Sequence, residues 1–143
     1  MVVSVGIAYA AFLYTVPITG NTVSAASADL EVTATKITGV EFIPGQSTSE
    51  ETIVITNKAS KGNLTFVVSN KIGNLCADVT LVVKKGATEL YNGTVKDAGM
   101  IAVDNSFNKN ATITLTQKAT LSLSTVLSGE SCTWDETVKL ENN

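Results

Sequence analysis

The side chains of this chain that are able to do chemistry are few and scattered. There is no histidine, which removes the commonest general base and the commonest metal ligand. Without it no Ser–His or Cys–His pair can be built for nucleophilic catalysis. The adjacent carboxylates Glu50-Glu51 and Asp135-Glu136 read as surface charge, because neighbours on a strand point to opposite faces and cannot share a site. The run Asp104-Asn105-Ser106-Phe107-Asn108 is rich in oxygen ligands. It lacks the central glycine and closing glutamate of an EF-hand, so it reads as an Asn-rich turn. There is no Gly-rich phosphate loop. The expectation is a protein that is not an enzyme, with no catalytic residues, no metal and no cofactor.

Two cysteines remain, Cys76 and Cys132. Far apart in a β-rich, low-charge chain, they are expected to form a disulfide in an oxidising, extracellular compartment. The alternative is a pair of buried free thiols. Three Asn-x-Thr sequons, at Asn63, Asn92 and Asn110, fall at expected loops or strand edges and are candidate N-glycosylation sites. The net charge of −3 supplies no basic field for nucleic acid or for an anionic membrane surface.

The elements that must carry these residues read as strands. At 143 residues the chain suits one domain, and with 44% hydrophobic and only 16% charged residues it is rich in Thr and Val. Alternation starts with Leu30, Val32 and Ala34. It recurs at Val40–Ile43, which ends on Pro44-Gly45, and at Thr52–Thr56, Leu64–Val68 and a strand opening at Cys76. Asn92-Gly93, between Glu89–Tyr91 and Thr94-Val95, is the strongest hairpin signal in the chain. Met100–Val103, Thr112–Thr116, Thr120–Thr125 and Cys132–Leu140 follow, with a polar loop at Asp104–Asn110. About nine short strands at this spacing, with no amphipathic helix, predict an all-β domain: a jelly-roll or immunoglobulin-like β-sandwich over 28–143.

The first sixteen residues stand apart. They carry no charge and alternate in size: Val3, Val5, Ile7, Tyr9 and Leu13 are bulky, while Ser4, Gly6, Ala8 and Ala10 are small. As a strand this segment would have one bulky face and one nearly bare face. It has the length of a signal-peptide core but no preceding positive charge, and it falls short of a membrane span. A buried strand is therefore preferred over an N-terminal helix, a leader or an anchor. Residues 17–27 read as a polar linker with a Gly20-Asn21 turn. That linker lets the strand fold back on its own sandwich or reach another copy. In the second case 1–16 is an extended donor strand: Val3, Val5, Ile7, Tyr9 and Leu13 are plugs, and the small residues are spacers. Burial of five such side chains is worth on the order of 8–12 kcal/mol before the cost of association. Head-to-tail donation is heterologous and does not close, so it yields a filament.

Several short stretches point the same way. Ala10-Ala11-Phe12-Leu13-Tyr14-Thr15, Thr19-Gly20-Asn21-Thr22-Val23, Ala28-Asp29-Leu30-Glu31-Val32, Phe42-Ile43-Pro44-Gly45 and Ile53-Val54-Ile55-Thr56-Asn57 together resemble the TasA/camelysin family of biofilm-fibre proteins, which includes archaeal bundling pilins. The resemblance covers roughly residues 10–70. It implies a jelly-roll subunit, exchange of the N-terminal strand, and an extracellular, cell-surface homopolymer whose filaments bundle, with no membrane segment in the mature form. The metalloprotease activity described for camelysin does not carry over to a chain without histidine, and the two cysteines are not part of the family pattern. The competing expectations are a type IV pilin-like subunit with an N-terminal helix and a secreted monomeric binding module.

Overall fold

The computed structural model describes residues 10–12, 30–34, 40–42, 47, 50–122 and 132–142. Its strands are β1 (Ala10–Phe12), β2 (Leu30–Ala34), β3 (Val40–Phe42), β4 (Glu51–Asn57), β5 (Gly62–Ile72), β6 (Val79–Lys85), β7 (Thr88–Thr94), β8 (Met100–Phe107), β9 (Thr112–Leu121) and β10 (Thr133–Asn142). A 3-10 turn spans Asn74–Ala77. Five strands form one antiparallel sheet in the order β2-β4-β9-β6-β7, and three form a second in the order β10-β5-β8. This is the expected all-β sandwich. A separate two-stranded sheet joins β1 to β3.

Period-2 burial explains the two layers. Along β9, Ile113, Leu115, Gln117, Ala119 and Leu121 face inward while Thr112, Thr114 and Lys118 are exposed. Along β4 the inward residues are Ile53 and Ile55, and along β5 they are Leu64, Phe66 and Val68. Trp134, Phe66 and Phe107 are the largest fully buried side chains. Burial of each such apolar group is worth about 1.5–3 kcal/mol. From β4 to β10 every connection crosses between the sheets except the β6–β7 hairpin, so neither sheet is a contiguous piece of chain.

Four local expectations are corrected. Asn92-Gly93 is not a hairpin turn; both residues lie inside β7. The chain turns instead at Gly86-Ala87, where Lys85 pairs with Thr88 and Gly86 takes a left-handed φ of 60°. Gly93 is small for another reason: a Cβ there would sit 2.7 Å from the Tyr91 hydroxyl, which donates to the Thr94 carbonyl at 2.7 Å. Thr112–Thr116 and the start of Thr120–Thr125 are one strand, because the inward parity runs unbroken through Gln117 and Ala119. Residues 123–125 lie outside the described residues. Cys76 does not open a strand but sits in the 3-10 turn, three residues before β6 begins. The loop expected at Asp104–Asn110 is strand as far as Phe107, where burial of the ring holds β8 to the core.

Asn57 joins three segments at one end of the sandwich. It is fully buried at the end of β4. Its amide nitrogen donates to the carbonyls of Phe107 (2.9 Å) and Ser60 (3.0 Å), and its Oδ1 accepts from the Ala59 N–H (2.8 Å). Its backbone N–H and C=O pair with Ala111 and Asn110. Removal of the side chain takes away the partner of the buried Phe107 carbonyl and those of the half-buried groups at Ala59 and Ser60. Asn57→Ala should therefore lower unfolding stability by about 2–4 kcal/mol in denaturant titration, with a native-like fold retained.

Candidate functional site

The candidate donor residues fall mostly outside the described chain. Val3, Val5, Ile7, Tyr9 and Leu13 lie there, as do Ser4, Gly6 and Ala8. Ala10 alone is placed, as the first residue of β1. There it pairs with Phe42, while Ala11 pairs with Glu41 and Phe12 with Val40. Residues 10–12 thus pair antiparallel with β3, outside both sandwich sheets.

Among the described residues the sandwich has four edge strands: β2 and β7 on the five-stranded sheet, β8 and β10 on the three-stranded one. An open edge is a row of main-chain groups able to pair with another strand. β8 is blunted. Its register with β5 shifts twice, and the Lys85 ammonium donates to the Val103 carbonyl (3.4 Å) and to Asp104 (3.2 Å). β7 carries Glu89, Asn92 and Gly93, residues that disfavour strand extension. β10 is the longer edge, and among the described residues β5 is its one strand partner. The Val68 N–H donates to the Gly99 carbonyl on the β8 side, at 2.9 Å. Antiparallel alternation then turns the main-chain groups of Val138 and Leu140 away from β5, toward the outer edge.

β10 is fixed in place by chemistry at two points. Cys132, immediately before it, is bonded to Cys76 in the 3-10 turn; both cysteines are buried. The expected disulfide is present. The second point is Glu136, which is fully buried rather than on the surface. The strand puts Cys132, Trp134, Glu136, Val138 and Leu140 on one face, so Glu136 points into the core with them. Its Oε2 accepts from the Trp134 indole N–H (3.0 Å), and its Oε1 accepts from the Gln117 amide of β9 (2.9 Å). The Gln117 bond crosses from one sheet to the other. Gln117 Oε1 is the buried side-chain atom without a partner among the described residues.

The remaining candidates are distributed. Asn110 is exposed in the β8–β9 turn, with a left-handed φ of 66°. Asn92 is exposed on edge strand β7. Asn63 is half-buried near the start of β5, which has a strand on each side. In the run Asp104–Asn108, Asp104 Oδ1 accepts from the Ser106 N–H (2.8 Å) and Oδ2 from the Lys85 ammonium (3.2 Å). The Ser106 N–H bond, with support from Lys85 and against a smaller opposing effect of burial, holds the Asp104 carboxyl below the usual aspartate range. Burial, then the charge of Asp97, pushes the Tyr91 hydroxyl up. Beside the disulfide lies a cleft of about 320 Å³ lined by Lys71, Gly73, Asn74, Cys76, Ala77 and Lys96. The Lys71 ammonium is engaged there by the carbonyls of Lys96 and Ala98. Among the described residues no three His, Cys, Asp or Glu side chains gather to hold a metal, and no helix is long and apolar enough to cross a membrane. The geometry offers strand edges and rigid packing. Sequence reasoning missed Glu136, although the signal was present in the alternation of Trp134, Glu136, Val138 and Leu140.

Set beside known proteins, the chain matches no family model and no curated protein.

Two tests follow. Cys76→Ser with Cys132→Ser opens a crosslink between residues 56 apart in sequence and should lower stability by about 4 kcal/mol. Thiol titration of the unmodified protein in denaturant should detect no free thiol. Asp104 has a depressed folded-state pKa, so its contribution is fully present above roughly pH 5 and is lost as pH falls through the folded value. The stability gap between the unmodified protein and Asp104→Asn, followed by thermal unfolding, should therefore be constant at neutral pH and close on acidification.

Proposed function

We propose that the protein is the structural subunit of an extracellular filament and polymerises head-to-tail by donor-strand complementation. The observation that carries this reading is the N-terminal segment itself. It is uncharged, it alternates bulky and small residues, and its placed part is a strand held outside both sheets of the sandwich. Such a segment has the form required to fill an edge or groove of another copy. Main-chain hydrogen bonds would supply affinity, and Val3, Val5, Ile7, Tyr9 and Leu13 would supply side-chain fit. The acceptor would be the domain over residues 28–143 of the next subunit, so each contact is heterologous and the assembly stays open.

The disulfide and the sparse charge fit a cell-surface location. The resemblance to biofilm-fibre proteins agrees with this role and extends it to lateral bundling of filaments. Asn92 and Asn110, both exposed, would then be the accessible glycan sites. The partner is the protein itself; nothing in its charge favours nucleic acid.

The deciding experiment is electron microscopy of the purified full chain beside a variant lacking residues 1–9. Filaments are expected from the full chain and only dispersed particles from the variant. Filaments of equal abundance from both would sink the proposal.

A further inference from the structure

We infer that β3 (Val40–Phe42) is the strand that receives β1 of a neighbouring copy, and that the β1–β3 pairing within one chain is the closed form of that same contact. This rests on the donor-strand reading above.

The pairing is antiparallel and in register, Ala10 with Phe42, Ala11 with Glu41 and Phe12 with Val40. It forms a two-stranded sheet of its own, three residues on each side. A ladder of three residue pairs is short, and a two-stranded ribbon is at best marginally stable by its own pairing in water. Exchange with a second copy preserves every main-chain hydrogen bond of the pairing, because the receiving strand is identical. The connection is also long enough. Residues 13–29 separate Phe12 from β2, and a fully extended segment of that length spans up to about 60 Å. A compact domain of this size is roughly 35 Å across. The same register is therefore reachable in one chain or between two, and concentration selects between them.

The test places a disulfide across the pairing. Ala11→Cys with Glu41→Cys joins directly opposed residues, whose Cα atoms in an antiparallel pair lie within disulfide range. Ala10→Cys with Phe42→Cys is the second variant and has the other of the two alternating pair geometries. Each is oxidised either as dispersed protein or after assembly, then run on denaturing gels without reductant. After assembly, a ladder of covalent multimers is expected that collapses to one 14.9-kDa band on reduction. Oxidised before assembly, the bond should close within single chains and block filaments until it is reduced. Filaments whose chains run as single molecules, with the new bond internal or unformed, overturn the assignment of β3 while leaving strand donation intact. Absence of filaments from the unmodified protein overturns strand donation itself.

Discussion

The arrangement depends on how β10 is held. It is the last strand and an edge strand, with β5 as its one strand partner among the described residues. A strand in that position is the first to detach unless something other than its ladder retains it. Here two unlike interactions do so. The Cys76–Cys132 bond fixes the point of entry. The buried carboxylate of Glu136 then ties the strand across the core to Gln117 of the opposite sheet. A buried acid is costly to desolvate, and removal of one of its donors leaves that cost uncompensated. The contact therefore defines which residue of β10 faces which residue of β9 more sharply than hydrophobic packing alone would.

The fold was legible in the sequence wherever one face of a strand is buried and the other wet. Leu30 and Val32, Ile53 and Ile55, and Val79, Leu81 and Val83 announce their strands through alternation alone. The errors arose where composition was weighed above parity. Asn92-Gly93 carries strong turn chemistry, yet the two residues sit mid-strand because the Gly86-Ala87 turn has already reversed the chain and Gly93 makes room for Tyr91. Glu136 was assigned to the surface as a charged residue, although its neighbours two positions away on either side are apolar. Gln117 likewise takes an inward position of β9, between Leu115 and Ala119, where alternation outweighs polarity.

Less of the candidate site could be read in advance. The pairing of Cys76 with Cys132 was legible because only two cysteines exist. That β1 pairs with β3 was not, because three-residue strands carry no periodicity long enough to announce a partner. The blunting of β8 was equally hidden, since it depends on Lys85 reaching from another strand to the Val103 carbonyl. Edges are properties of the assembled sheet, and the order β10-β5-β8 cannot be written down from local pattern.

The disulfide also determines how the molecule responds to a pull. Tension on the carboxyl end of β10 unzips its ladder with β5 from Asn142 toward Thr133. The opening stops at Cys132, which is covalently anchored to the turn between β5 and β6. The released strand stays tethered beside its vacated place, at an effective concentration in the millimolar range typical of short tethers. Re-zipping is then a local, unimolecular event. Detachment carries Trp134, Val138 and Leu140 out of the core, and the tether at Cys132 keeps them beside the site they left.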